Sequence, residues 1–210
     1  MMTTAGVLGK VIAVLRAANA DRYHPVVDEL IAGGIRNIEL TLTTPGTLDV
    51  VHQLRAGVGD CARIGVGTVT TSTSAGDAIR AGAQFLVTPG VAAGPAELAR
   101  QHNVPIMMGA LTPTEIMAAI ECEADLIKIF PASTVGADYL TQLRGPFPDL
   151  QAVPSGGVDS ASARDWLAAG AVAVSIGGPL IGDALRGGSL RDLAARIRKL
   201  EQALKSGESC

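Results

Sequence analysis

Residues 166–182, WLAAGAVAVSIGGPLIG, form an uncharged run almost long enough to span a bilayer, and the way this run is divided decides the fold. Gly170, Gly177, Gly178, Gly182, Ser175 and Pro179 interrupt it, which does not suit a membrane helix. It separates instead into a helix end, a turn at Gly170, a buried strand and a second turn at Gly177-Gly178. A short strand that is apolar on both faces belongs in a parallel sheet covered by helices.

The same unit recurs outward from this stretch. Ala32-Gly33-Gly34 and Ala81-Gly82-Ala83 repeat the turn of Ala169-Gly170-Ala171, each at a helix end before an apolar run. Strands are expected at 11–15, 35–42, 62–66, 84–88, 104–108, 125–129, 151–154 and 171–176. Helices are expected at 22–32, 47–56, 74–81, 95–102, 113–121, 137–144, 160–169 and 182–205. Eight of each is the count of an α/β fold of the (β/α)8 TIM-barrel type. A doubly wound open sheet shares the alternation, and the count separates the two.

The bulk properties agree with one barrel domain over residues 1–210, with a loose tail from about residue 205. The chain is 48% hydrophobic but 3% aromatic, so its core must come from Ala, Val, Ile and Leu. A net charge of −3 with interspersed signs argues against nucleic-acid and membrane partners. Cys61, Cys122 and Cys210 form no C-x-x-C pair and suggest a reducing, cytoplasmic setting. The first ten residues lack the pattern of a signal peptide.

In such a barrel, functional groups gather at the C-terminal ends of the strands. Lys128 stands out there, inside Leu126-Ile127-Lys128-Ile129-Phe130. A desolvated amine loses basicity and becomes the neutral nucleophile that imine formation requires. In Ile38-Glu39-Leu40-Thr41-Leu42 the aliphatics take one face, which leaves Glu39 and Thr41 to the barrel interior. Lys128 and Glu39 therefore fit either a buried ion pair or a catalytic pair that makes an imine and moves protons.

Ser155-Gly156-Gly157 after strand 7 and Gly177-Gly178 after strand 8 occupy positions where barrels commonly bind phosphate through backbone N–H groups. Arg16 offers a fixed charge for a carboxylate or phosphate, or an ion-pair partner for Glu39. Thr68 follows a glycine-rich strand and either contacts substrate or serves the turn, while Pro89 lies in the Thr88-Pro89-Gly90 turn. His24, His52 and His102 fall in helical patterns with no metal-binding spacing, and no nucleotide or serine-hydrolase motif is present. No metal or other cofactor is expected.

The chain resembles the bacterial 2-keto-3-deoxy-6-phosphogluconate and 4-hydroxy-2-oxoglutarate aldolases over almost its full length. The resemblance is carried by Val14-Leu15-Arg16, Ile38-Glu39-Leu40-Thr41-Leu42, Gly65-Val66-Gly67-Thr68-Val69, Val87-Thr88-Pro89-Gly90, Ile127-Lys128-Ile129-Phe130-Pro131 and Ser155-Gly156-Gly157-Val158. It implies a metal-independent class I lyase that forms pyruvate and an aldehyde, in a homotrimer. By this resemblance Lys128 is the imine lysine and Glu39 the general acid/base. Thr68 and Pro89 match pocket residues near pyruvate, and Gly156 with Gly157 match phosphate-binding glycines.

Two positions depart from the family pattern. Thr43 stands where well-studied members carry an arginine for the substrate carboxylate, a charge that Arg16 is expected to replace as in galactonate-type relatives. Pro179 stands where phosphogluconate-specific members carry a serine, and it has no N–H to donate. The substrate expected is 2-keto-3-deoxy-6-phosphogluconate, with 4-hydroxy-2-oxoglutarate a second one and the galactonate epimer the alternative. Rival readings are a sugar-phosphate isomerase or decarboxylase without lysine chemistry, and a barrel that binds without turnover.

Overall fold

The computed structural model describes residues 7–205; the expected tail beyond Lys205, Cys210 within it, and the first six residues lie outside that span. Eight strands alternate with helices: β1 Val11–Leu15, α1 Tyr23–Ala32, β2 Asn37–Thr41, α2 Thr47–Val58, β3 Arg63–Gly67, α3 Ser72–Arg80, β4 Leu86–Val87 and α4 Ala93–Gln101. The second half continues with β5 Ile106–Ala110, α5 Pro113–Glu121, β6 Leu126–Ile129, α6 Asp138–Leu143, β7 Ala152–Pro154, α7 Ser160–Ala168, β8 Val174–Ile176, α8 Gly178–Ile181 and α9 Leu190–Lys205. All strand pairs are parallel, in the order β7-β6-β5-β4-β3-β2-β1-β8. A Ser155–Ser175 bridge joins β7 to β8. The sheet is thereby closed into a (β/α)8 barrel, and the open-sheet alternative is excluded.

The glycine turns end their helices as the sequence suggests. Gly34, Gly82 and Gly170 take φ of 96°, 97° and 95°. At each, the glycine N–H donates to the residue three back and the next N–H to the residue five back, so two carbonyls left over by the helix are satisfied. At the opposite ends, Thr71, Thr112 and Asp159 form capping boxes with Ser74, Glu115 and Ser162. Each such cap contributes about 1 kcal/mol and fixes where a strand-to-helix loop stops.

Five of the eight strands, β2, β4, β6, β7 and β8, are shorter than the apolar runs that announce them. β4 is two residues long, and β5 begins two residues later than expected because Pro105, with no N–H, precedes the ladder. The largest difference lies near the end of the chain. Residues 182–205 do not form one helix: α8 has already ended at Ile181, a 3-10 turn follows at Ala184–Arg186, and α9 starts only after Gly187-Gly188. None of the described helices is long and apolar enough to cross a membrane.

Two apolar layers hold the barrel. Between strands and helices lie fully buried Leu15, Leu30, Ile38, Leu40, Ile64, Ile116 and Ile129, each stabilising the fold by roughly 1.5–3 kcal/mol. Inside the barrel, Ile12, Phe85, Val87, Met107, Val153 and Ala173 form a separate cluster toward the N-terminal ends of the strands. Gly65 makes this plug possible, since a Cβ there would fall on the Phe85 ring.

Candidate active site

Above that plug, on the C-terminal side, the barrel opens into a cavity of about 380 Å³. It is lined by Arg16, Glu39, Thr68, Pro89, Lys128, Ser155, Gly156, Gly157, Gly177 and Gly178, which are all ten site residues singled out in the sequence. Val14, Phe130, Pro179 and Arg186 also reach it.

Glu39 is buried at the centre of β2, and its neighbour on β3 is shaped around it. A Cβ on Gly67 would coincide with the Glu39 carboxylate, so only glycine leaves that space free. Burial pushes the Glu39 carboxyl above the usual carboxylate range, against the opposing pull of the Lys128 and Arg16 charges. Its Oε1 lies 3.9 Å from Lys128 Nζ, and its Oε2 has no hydrogen-bond partner. A charge-assisted hydrogen bond would close to about 2.7–2.9 Å, so the two groups are neighbours and not a locked pair.

Lys128 on β6 is 7% exposed, with its amine 5.2 Å from the centroid of the Phe130 ring. Gly156 permits that ring position, because a Cβ there would press on its edge at 3.0 Å. The amine is thus flanked by an aromatic face and a carboxyl, with the cavity as its remaining access.

The loops are tied down around this pair. Ala17 N–H donates to Thr44 Oγ1 at 2.9 Å, which fixes the backbone beside Arg16. Thr43 turns its hydroxyl to Thr41 Oγ1 at 3.1 Å and does not line the cavity. Thr88 Oγ1 donates to the Gly90 carbonyl at 2.6 Å and accepts from Gly109 N–H, which holds Pro89 at the rim. Thr68 has φ of 62°, a strained conformation for a β-branched residue that costs on the order of 1–3 kcal/mol. Gly156 and Gly157 take φ of 87° and 78°. Their N–H groups have no hydrogen-bond partner among the described residues.

Arg186 escaped the sequence reading because 182–205 looks like one helix, although Gly187-Gly188 is the signal that would have ended that helix early. Phe130 was read only as a strand neighbour of Lys128. Among the described residues no group of His, Cys, Asp and Glu is arranged to hold a metal ion.

Comparison with known proteins points in one direction. The sequence model for KDPG and KHG aldolase matches residues 4–194. The KHG/KDPG aldolase of Escherichia coli K12 is 30% identical over 200 residues, covering 94% of this chain and 93% of that one. A probable 2-dehydro-3-deoxy-6-phosphogalactonate aldolase of Rhizobium meliloti is also 30% identical, over 94% of this chain and 93% of its own. A solved structure described as native KDPGal superposes with a TM-score of 0.89 at 27% identity, covering 95% of this chain and 96% of that one.

Proposed function

The chain belongs to the KDPG and KHG aldolase family, and from that premise we propose that Lys128 and Glu39 carry out the cleavage of a 2-keto-3-deoxy sugar acid. The protein is a lyase of the class I aldolase type, in a family of pyruvate aldolases. The observation that carries the assignment of roles is the buried amine 3.9 Å from a buried carboxyl at the floor of the C-terminal cavity.

Lys128 Nζ adds to the C2 ketone and, with loss of water, gives a protonated imine. That cation accepts the electron pair released when the C3–C4 bond breaks. Glu39 as carboxylate takes the C4 hydroxyl proton, the aldehyde leaves, and the same carboxyl returns a proton to C3 of the enamine. Hydrolysis of the pyruvyl imine then frees Lys128. Phe130 covers one side of the amine with its ring. Thr68 and Pro89 border the pyruvate half, and Ser155, Gly156, Gly157, Gly177 and Gly178 border the aldehyde half.

The preferred substrate is 2-keto-3-deoxy-6-phosphogluconate, giving glyceraldehyde 3-phosphate, with 4-hydroxy-2-oxoglutarate giving glyoxylate as a second reaction. The galactonate epimer is favoured by one observation: Arg16 lines the cavity while Thr43, at the position of the family's arginine, does not. We place the enzyme in the cytoplasm as a homotrimer, with no nucleic-acid or membrane partner. Sedimentation of the purified chain reads the trimer directly.

Borohydride reduction in the presence of pyruvate, followed by peptide mass spectrometry, tests the chemistry. A pyruvyl adduct on Lys128 is the expected result, and a folded protein that forms none overturns the mechanism. A panel of both C4 epimers coupled to pyruvate detection then ranks the substrates.

A further inference from the structure

Two arginines border the last βα unit, and they are used differently. Arg196 on α9 spends its guanidinium on structure: Nε donates to the Leu180 carbonyl at 2.7 Å and Nη2 to the Ile181 carbonyl at 2.8 Å. These bonds fix the end of α8 at Gly182, where the chain turns with φ of 59°. Arg186, four residues further along, has a guanidinium with no hydrogen bond or ion pair among the described residues, and its exposed side chain borders the cavity.

The backbone under Arg186 is nevertheless fixed. Ala184 and Leu185 are buried at 6% and 5% exposure, and Arg186 N–H and Gly188 N–H both donate to the Asp183 carbonyl at 2.7 and 3.0 Å. A fixed backbone therefore holds at the cavity rim a guanidinium whose donors are unused among the described residues.

Strand order says which end of the substrate it faces. Lys128 lies in β6, and Thr68 and Pro89 follow β3 and β4. Arg186 follows β8, on the same side of the mouth as Gly156-Gly157 after β7 and Gly177-Gly178 after β8. The N–H groups of Gly156 and Gly157 are without partners among the described residues, and Pro179, which lines the same cavity, contributes neither N–H nor hydroxyl.

We infer that Arg186 is a specificity-determining residue that binds the terminal phosphate ester of the aldehyde half, together with the backbone N–H groups of Gly156 and Gly157. The guanidinium fork supplies the paired donors and the charge that Pro179 lacks. The inference deepens the aldolase reading and rests on it.

The test is aldol addition of pyruvate to D-glyceraldehyde 3-phosphate and to unphosphorylated D-glyceraldehyde, by wild-type protein and by Arg186→Gln and Arg186→Lys. In R186Q, KM for the phosphorylated aldehyde is expected to rise about 10- to 100-fold, while kcat/KM for D-glyceraldehyde stays near wild type. R186K should fall between them, since it keeps the charge without the fork. An unchanged ratio of the two aldehydes in R186Q overturns the inference, provided wild-type protein still forms the pyruvyl adduct on Lys128. Absence of that adduct in wild type overturns the aldolase reading instead. Unchanged thermal unfolding is expected for both variants because the side chain is exposed and unpartnered.

Discussion

The barrel has a cavity at each mouth, and the two differ little in size: about 350 Å³ at the N-terminal ends of the strands and about 380 Å³ at the C-terminal ends. Volume therefore does not identify the site; the state of the polar groups does. At the lower mouth Arg63 donates to the Gln84 carbonyl and lies 5.9 Å from the Phe85 ring centroid, and Asp125 accepts from Ile106 N–H at 2.8 Å. Those groups are used in holding strands together. At the upper mouth, among the described residues, Glu39 keeps an oxygen without a partner, Lys128 stands off from it, and the Arg186 guanidinium is unpaired. One inner strand face serves both: Leu126 packs against the plug, and Lys128, two residues or about 6.6 Å further along β6, faces the site.

The sharpest way to break this comparison is Lys128→Met. If the upper pair is catalytic, activity falls roughly 10⁴-fold or more and the pyruvyl adduct disappears. Were the pair structural, loss of one partner would cost about 3–5 kcal/mol of stability. Urea unfolding is expected to show much less than that, because Glu39 can take up a proton when the amine is gone.

Next in size is Glu39→Gln, which should lower turnover about 10²- to 10⁴-fold. Its pH behaviour is equally diagnostic. With its carboxyl raised by burial, Glu39 becomes a base only above the ordinary glutamate range, so the acid limb of kcat/KM lies above that range in wild type and is missing in E39Q. For stability the sign is opposite: the folded protein holds the proton more tightly than the unfolded chain. That contribution is complete below the unfolded value and is lost as pH rises through the raised folded one. A Tm series across that window should fall in wild type and flatten in E39Q.

Phe85→Ala moves the test to the lower mouth. Emptying the plug should cost about 3–5 kcal/mol in unfolding free energy, with kcat of the folded fraction little changed. The smallest change is Gly67→Ala. Crowding the Glu39 carboxylate should cost about 1–3 kcal/mol and reduce kcat by up to about 10²-fold, with the Lys128 adduct still forming.

Most of the upper mouth was legible in the sequence because its residues lie on a strand, or directly after one, whose end could be found. Lys128 and Glu39 announce themselves as charges inside apolar runs, and alternation alone puts them on the inner face. The lower mouth was not legible: Phe85 and Gly65 look like ordinary strand residues, and only the barrel's register brings ring and glycine together. Arg186 was hidden for a different reason. Ala, Leu and Arg before a long amphipathic run all favour helix, and they outweigh the one local warning, the Gly187-Gly188 pair that stops it.

The glycines of the inner wall define where the protein tolerates redesign. Gly65, Gly67 and Gly109 reserve space for the Phe85 ring, the Glu39 carboxylate and the Pro89 backbone respectively. A mutant library that diversifies these wall positions would mostly return inactive or unfolded clones. One directed at Pro179 and Arg186 would leave the wall and the keto-acid anchor alone and sample new acceptor aldehydes.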